Sequence, residues 1–537
     1  MGIRNNKKVM FILCLSLVLV VAGIFAFTIY QYLTHIDSIE TNDTSQNTLN
    51  KQIGAQVRDA STQVGNANYF NKNNGKYYAD SNYQTEANDN TAYLLSLFTS
   101  NKSVDLPEGN FLCKTRIVLN GKELKVNGVE GKTKIVFDSI TFNNYGVAPF
   151  SECLIINSNY ADEYKQESAQ NININGIIFE YKRYSQNSPK TIMLYKNIAA
   201  ANITNCSFIA DYANEMVVNN LDLYNGCKNV VVSNCYFSNK TNAQAGGCIW
   251  IRNLTSKTQN IQGNTTENIN INNCSFEKDS KDEVISVYST VGDVKDVIIS
   301  SCDIKDYSEK QNIVLSVYSS DDNNYGIVDN VVINNNNIYT QKFNAFVILT
   351  GTQNRIKPTT NVTITNNKIT SESQNDKTKT IIYNDTNNKD SNVIVNNNEI
   401  VVRGSTYYAA IANVKYVGGN KITGSFNSSI VGGIVTNNTI IGASNGIVDP
   451  AAALNNSISQ VNYGIRLYSG DSNLNSNSIE LKGSGICGIE VTSQDYVTCN
   501  KNKVQTLNKN QYGIIAKNAN TILNNNQLLG EGKNSIK

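Results

Sequence analysis

The stretch Val331-x-Ile333-x-Asn335-Asn336-x-Ile338 alternates apolar and polar residues on both sides of a polar pair. The same phrase recurs down the chain with variable spacing. The second residue of the polar pair falls at Cys206, Cys235, Cys274, Cys302, Asn336, Asn367, Asn398, Asn420, Asn438, Asn456, Asn477, Asn502 and Asn526. Two residues after each of them stands Phe, Ile, Val or Leu. A fixed strand phrase with variable spacing is typical of a solenoid whose coils differ only in loop length.

The alternation puts the apolar residues of each phrase on one face of a short strand, and the polar pair marks a turn. One such strand cannot bury its apolar face alone, whereas stacked coils can, and their identical side chains then form columns. The sequence therefore predicts an all-β, single-stranded right-handed parallel β-helix with a buried asparagine ladder. A helical fold conflicts with the period of two, and an antiparallel propeller does not explain an Asn position repeated in every unit.

The four cysteines of the repeat occupy the position that Asn holds later in the chain. We expect a buried stack of free thiols, because parallel side chains in a stack have poor disulfide geometry. No Cys-x-x-Cys pair occurs, so a zinc site is not expected. The single histidine, His35, lies outside the repeats, which excludes imidazole chemistry in the folded domain.

The 537-residue chain has a net charge of +2, which gives no reason to expect a nucleic-acid partner. Residues 9–30 form an apolar run of bilayer-spanning length, preceded by Arg4, Lys7 and Lys8. This pattern favours an uncleaved signal anchor over a cleaved signal peptide, with a single span in the cell membrane and the folded domain outside. The predicted segments are a cytoplasmic tail at 1–8, the transmembrane anchor at 9–30, a polar stalk at 31–78, an N-terminal cap at 79–115 and the β-helix at 116–537.

Residues 92–98 are predicted to form an amphipathic helix, and the motif Leu106-Pro107-x-Gly109-x-Phe111 follows it. This segment resembles the start of the β-helix in the pectate lyase superfamily, including the group shared with phage tailspikes. The resemblance implies that the helix covers the open first coil, where a free sheet edge would otherwise be exposed. It extends over roughly residues 85–537 at the level of fold.

No catalytic motif of that superfamily is intact. Polygalacturonase-like Asp321-Asp322 and Arg355-Ile356-Lys357 are present, but the Asn-Thr-Asp and Gly-His-Gly motifs are absent. Ile249–Asn253 is similar to the Trp-Ile-Asp-His signature of calcium-dependent pectate lyases, with Arg and Asn in place of Asp and His. Neither activity is transferred to this chain.

Coil length and a column of aromatic residues both predict a binding face in the first half of the repeats. Coils take about 32 residues up to Asn398 and about 21 after it, so the earlier coils carry extra loop residues. There, a strand position predicted to point outward is repeatedly aromatic or charged. The predicted ligand-binding residues are Tyr195, Tyr224, Trp250, Arg252, Tyr288 and Tyr318, with Leu349 and Tyr383 continuing the column. Aromatic rings stack on sugar C–H faces and Arg can bind carboxylates bidentately, so this face suits a polysaccharide or cell-surface glycan.

Three classes of function remain open. A polysaccharide lyase or glycoside hydrolase needs carboxylates, and the candidates are Asp222, Asp321 and Asp322. An adhesin needs only the aromatic face, and a structural spacer needs neither. Outward Tyr residues also stabilise strand pairs without a ligand, and Asp222 beside Arg252 is more typical of a structural ion pair. No cofactor is expected, although Asp321 and Asp322 could bind calcium from a loop.

Overall fold

The computed structural model describes residues 67–120, 123–138, 152–157, 171–182, 191–196, 198–210, 219–240, 246–253, 265–280, 282–290, 292–308, 313–319, 326–341, 346–352, 360–372, 380–385, 391–404, 407–518 and 520–536. All of them belong to one compact unit that comprises residues 65–142 and 150–537. Within this part of the chain, three parallel sheets of 16 strands each run the length of the solenoid. The chain visits sheets 1, 2 and 3 in turn, once per coil, which fits the predicted right-handed parallel β-helix.

Sheet 1 holds the first half of each phrase. Its strands are Ser103–Asp105, Leu124–Asn127, Asn171–Asn175, Ala200–Thr204, Lys228–Ser233, Thr266–Asn272, Val294–Ser300, Val328–Asn334, Thr360–Thr365, Val393–Asn396, Tyr416–Gly418, Ile434–Thr436, Ala452–Leu454, Ser472–Asn475, Val497–Asn500 and Thr521–Asn524. The polar pair then turns the chain into sheet 2. The first residue of the pair has a left-handed backbone, as at Asn234 with φ 52°, which Asn tolerates better than most residues.

Sheet 2 holds the second half of each phrase. Its strands are Gly109–Cys113, Thr133–Phe137, Ile177–Tyr181, Ser207–Ile209, Tyr236–Asn239, Ser275–Lys278, Asp303–Asp306, Asn337–Thr340, Lys368–Ser371, Glu399–Val402, Lys421–Thr423, Thr439–Ile441, Ser457–Val461, Ser478–Leu481, Lys503–Gln505 and Gln527–Leu529. Their inward residues form columns in the core. In one column, the rings of Phe179, Phe208, Phe237 and Phe276 stack with centroids 5.2, 4.9 and 5.0 Å apart.

Sheet 3 closes each coil and carries the predicted site. Its strands are Ile117–Asn120, Glu152–Asn157, Thr191–Lys196, Asn219–Tyr224, Ile249–Asn253, Ile285–Ser289, Ile313–Ser319, Phe346–Thr352, Thr380–Asp385, Tyr407–Ala412, Phe426–Val431, Asn445–Val448, Tyr463–Leu467, Cys487–Val491, Tyr512–Ala516 and Lys533–Ile536. In the first half of the repeats, most connections on either side of sheet 3 are longer than in the second half, although those from Lys196 to Ala200 and from Tyr224 to Lys228 are short. The extra residues of the long coils therefore flank sheet 3.

The asparagine ladder is present as predicted. From Asn336 to Asn502, each side-chain amide donates to the amide oxygen of the next coil at 2.9–3.0 Å. Each amide also donates to a main-chain carbonyl of the preceding coil, as Asn398 does to Ile364 at 2.9 Å. The ladder thus satisfies polar groups that the tight turn buries.

The prediction of a buried stack of free thiols is confirmed at Cys206, Cys235, Cys274 and Cys302. Each thiol contacts the same pair of carbonyls that an Asn amide serves. Cys235 Sγ, for example, lies 3.5 Å from the Ile203 carbonyl oxygen and 3.2 Å from that of Ser233. Cys therefore replaces Asn as a donor at this position, although a thiol is a weaker one.

The N-terminal cap contains the α-helix Thr91–Ser100, the one helix among the described residues. Leu94 and Phe98 are buried against the first coil, as the capping prediction requires. An antiparallel hairpin of Tyr69–Asn71 and Lys76–Tyr78 precedes the helix, in the segment predicted as stalk. Gly109 (φ 137°) lies directly against Ala67, where a side chain on residue 109 has no room. The described part of the cap therefore begins before residue 79.

Candidate functional site

The outward side chains of four neighbouring strands in sheet 3 form a surface that we call the aromatic face. Its strands are Asn219–Tyr224, Ile249–Asn253, Ile285–Ser289 and Ile313–Ser319. Strand register aligns Tyr224, Arg252, Tyr288 and Tyr318 in one column. Asp222, Trp250, Ser286 and Ser316 form a second column two residues earlier. The sequence therefore predicted both columns correctly across these four strands.

At either end of the face, the register differs from the predicted alignment. Lys196, not Tyr195, pairs with Tyr224, and Tyr195 pairs with Leu223. The side chain of Tyr195 lies outside the described part. At the other end, Leu349 pairs with Ser316 and with Tyr383, so these two residues continue the Trp250 column rather than the tyrosine column.

Asp222 and Arg252 form a bidentate ion pair on this face, as the ion-pair interpretation expected. Arg252 Nε donates to Asp222 Oδ1 at 3.0 Å, and Nη2 donates to Oδ2. Burial raises the pKa of the Asp222 carboxyl, and the guanidinium opposes this shift. Because both carboxylate oxygens accept a guanidinium N–H, the pair is ionised at neutral pH. Neither oxygen of Asp222 is left to act on a ligand.

Trp250 lies half-buried beside this pair. The Arg252 Cζ is 4.5 Å from the centre of the indole and 5.3 Å from the Tyr224 ring, so the guanidinium is held between two aromatic groups. A Cβ on Gly247 would lie 2.8 Å from Trp250 Nε1, so the ring rests on a glycine. Trp250 Nε1 is buried and has no hydrogen-bond partner among the described residues. A buried indole N–H usually has an acceptor, and none of the described residues provides one here.

Tyr288 and Tyr318 continue the face, with ring centroids 4.7 Å apart. Ser286 and Ser316 belong to the Trp250 column of the same two strands, and their hydroxyls lie 2.8 Å from each other. Burial is the main reason that the pKa of Tyr318 is raised, and the neighbouring Tyr288 and Glu283 contribute. Both tyrosines are half-buried, so each presents only part of its ring to a ligand.

Glu283 is a site residue that the sequence did not reveal. It lies in the connection that leads into Ile285–Ser289, two residues before the strand begins. Burial raises the pKa of this carboxyl and the charge of Asp282 adds to the shift, whereas Lys278 opposes it. A raised pKa suits a carboxyl that donates a proton. The signal was an acidic pair, Asp282-Glu283, immediately before a strand of the aromatic face.

A buried polar network supports the connections behind Glu283. The ammonium of Lys278 is fully buried, 3.3 Å from Asp306 Oδ1 and 2.5 Å from the Ser280 carbonyl oxygen. The Ser280 hydroxyl donates to the Gly246 carbonyl, and Asn239 Nδ2 donates to that of Gly247 at 3.0 Å. The network therefore holds the backbone of Gly246 and of Gly247, the glycine that lies against Trp250.

Several predicted features fall outside the described residues. They are Asp321 and Asp322, the Arg355-Ile356-Lys357 motif, His35 and the anchor at 9–30. Across the described ranges, no cluster of three or more His, Cys, Asp or Glu side chains is placed to hold a metal ion. No helix in those ranges is both long and apolar enough to cross a bilayer.

No family model matches the sequence, and no curated protein sequence matches it either. Among solved structures, the chain is similar to a double mutant of the tailspike protein of E. coli bacteriophage HK620 (11% identity, 82% of this chain, 84% of that chain, TM-score 0.43). It is also similar to the Streptococcus pneumoniae surface protein and adhesin PfbA (14% identity, 84% and 96% covered, TM-score 0.37). The periplasmic alginate epimerase AlgG is a third (10% identity, 78% and 78% covered, TM-score 0.32). Similarity this distant does not assign a function.

Proposed function

We propose that the protein is a membrane-anchored, extracellular β-helix protein that binds or processes polysaccharide through the aromatic face. The observation that carries the proposal is Trp250. Its half-buried ring lies beside Arg252 and Tyr224, and its Nε1 donor has no partner among the described residues. Partly exposed aromatic rings beside a guanidinium suit a sugar ring, which presents C–H bonds on its faces and hydroxyls at its edge.

Cleavage of the bound polymer, by a glycoside hydrolase or a polysaccharide lyase reaction, is the second candidate function. Glu283 favours it, since a partly buried carboxyl with a raised pKa next to a ligand surface could donate a proton to a leaving group. An adhesin would use the same face without this step. Incubation of the protein with neutral and acidic glycans, followed by product detection, separates the two.

Replacing Trp250 and Tyr288 together by Ala should weaken glycan binding by about 1–3 kcal/mol, because the rings supply contact area and aromatic stacking. Binding is measured by calorimetry with the glycan that the panel identifies. The matched control is Tyr468→Ala, which removes an exposed ring that lies 4.8 Å from Arg466 in the second half of sheet 3. This control should leave binding unchanged.

Unchanged binding in the Trp250/Tyr288 variant, or lost binding in the Tyr468 control, would contradict the assignment. Thermal unfolding of each variant is measured in parallel. Should the double variant fail to fold, its rings serve to pack the flanking connections, and the structural interpretation of the column is the correct one.

Membrane anchoring is proposed from the apolar run at 9–30 and the basic residues before it. The native protein is expected to remain in the membrane fraction after a high-salt wash and to enter solution only with detergent. N-terminal sequencing checks the anchor directly. A mature chain that begins between residues 22 and 35 would show secretion in place of anchoring.

A further inference from the structure

The aromatic face contains a single cation that is already neutralised. In its four strands, Arg252 and Asp222 are the only charged residues. The guanidinium uses Nε and Nη2 on Asp222, whose side chain is 1% exposed. The same guanidinium is confined by Trp250 and Tyr224. The other guanidinium N–H groups can still donate, but the pair has no net charge. An anionic sugar therefore gains no full charge attraction there unless it displaces the buried carboxylate, which would leave that carboxylate unpaired.

Lys196, the register partner of Tyr224, lies in the adjoining strand outside the face. The additional charge that acts on the face itself is unfavourable to an anion, because Glu283 precedes the strand Ile285–Ser289 and its charge contributes to the raised pKa of Tyr318. The nearby Lys278 ammonium is fully buried and occupied by Asp306 and Ser280. The four strands of the face therefore present partly exposed aromatic rings, and their one cation is already paired with Asp222.

We infer that the aromatic face selects uncharged glycans over uronate or sulfate polymers, and that Asp222 determines this specificity by occupying Arg252. The inference rests on the proposed function and names its ligand class. The sequence led us to expect that Arg252 would bind a carboxylate of the sugar. In the structure Arg252 binds the carboxylate of Asp222 instead. Asp222 acts through Arg252 and is a specificity-determining residue without direct contact to the ligand.

The test compares neutral hexasaccharides with their C6-oxidised uronate counterparts on the full-length protein in detergent micelles. The native protein should bind a neutral member at least about tenfold more tightly than the matched uronate, with little dependence on salt. Asp222→Asn keeps the size of the side chain but releases the guanidinium. It should tighten uronate binding by about tenfold or more, and that gain should fall as salt is raised.

Glu490→Gln is the matched control, because Glu490 pairs with Arg466 at 2.8 Å on the same sheet but in the second half of the repeats. It frees an equivalent guanidinium outside the aromatic face and should not improve uronate binding.

If the native protein prefers uronates, this inference is overturned but the proposed function stands. The same holds if Asp222→Asn folds and its affinity for uronates does not increase. If the control gains as much, released charge anywhere on the protein accounts for the effect, and the inference fails. If Asp222→Asn does not fold, the native comparison and its salt dependence decide. Failure of the native protein to bind any member overturns both this inference and the proposed function.

Discussion

Replacing Lys278 by Met should destabilise the folded protein by about 3–5 kcal/mol at neutral pH, because it leaves Asp306 as a buried carboxylate without its cation. Lys278 and Asp306 are paired in register in sheet 2, with side chains 0% and 2% exposed. The Ser280 carbonyl, which accepts from Lys278, would also lose its donor. Urea unfolding monitored by circular dichroism measures the loss.

The size of this effect should depend on pH in a defined direction. Burial raises the pKa of the Asp306 carboxyl above its unfolded value, and Lys278 opposes that rise. A raised carboxyl pKa means that folding is favoured most at low pH, and that this contribution is lost as the pH rises through the folded pKa. Without Lys278 the pKa rises further. The destabilisation of the variant should therefore shrink as the pH is lowered towards about 4, where Asp306 is increasingly protonated.

Two controls separate the buried charge from a change in packing. In the native protein the Ser308 main-chain N–H donates to Asp306 Oδ1 at 3.1 Å. Adding Asp306→Asn to Lys278→Met keeps an oxygen for this N–H and removes the charge, so the double variant should regain most of the lost stability. Lys102→Met removes an exposed partner of Glu123 and should cost less than about 1 kcal/mol. A loss that is equal at pH 4 and pH 7, or is not restored in the double variant, would show that buried charge is not the cause.

The repeat phrase predicted sheets 1 and 2 and the ladder because each coil places a recognisable residue at the same turn. A mistake in alignment there would bury a charge or expose an Asn, so the register is strongly determined. The central part of sheet 3 was predicted equally well from its alternation. Membrane anchoring and calcium binding stay predictions, since their residues lie outside the described part.

The aromatic column was misaligned by one residue at Tyr195 and by two residues at Leu349. The second shift has a physical reason, because a period of two cannot distinguish a strand from the same strand shifted by two residues. Leu315 and Val317 both point inward, and the structure pairs Ile348 with Leu315, whereas the sequence suggested Val317. Long connections on both sides of sheet 3 remove the turn that would otherwise fix the choice.

Buried charge was the other feature that the sequence did not reveal. Lys278, Asp306 and Glu283 look like ordinary polar residues beside loops, since a one-dimensional pattern does not show what covers a side chain. The part of the site that supports Trp250 was therefore accessible only from the structure.

Replacing Asn477 by Ala should destabilise the folded protein by about 3–5 kcal/mol. Asn477 Nδ2 donates to the Ala453 carbonyl at 2.7 Å and to Asn502 Oδ1 at 2.9 Å. Its Oδ1 accepts from both the main-chain and side-chain amides of Asn456, at 3.1 and 2.9 Å. Alanine interrupts the ladder and leaves buried polar groups without partners on both adjacent coils, each costing about 1–3 kcal/mol.

The neighbouring Asn473 provides the control, because it is exposed in the same coil, and Asn473→Ala should change stability by less than about 0.5 kcal/mol. The loss of stability in Asn477→Cys should lie between those of Asn477→Ala and Asn473→Ala. A thiol can still donate to the carbonyls, as Cys235 does, but it offers the Asn456 amides only a weak acceptor. Hydrogen exchange of the Asn456 and Asn502 main-chain amides reports on the two adjacent coils, and urea unfolding reports on the whole domain. If Asn477→Ala is no more destabilising than Asn473→Ala, the ladder follows from the stacking of the strands and contributes little to holding them together.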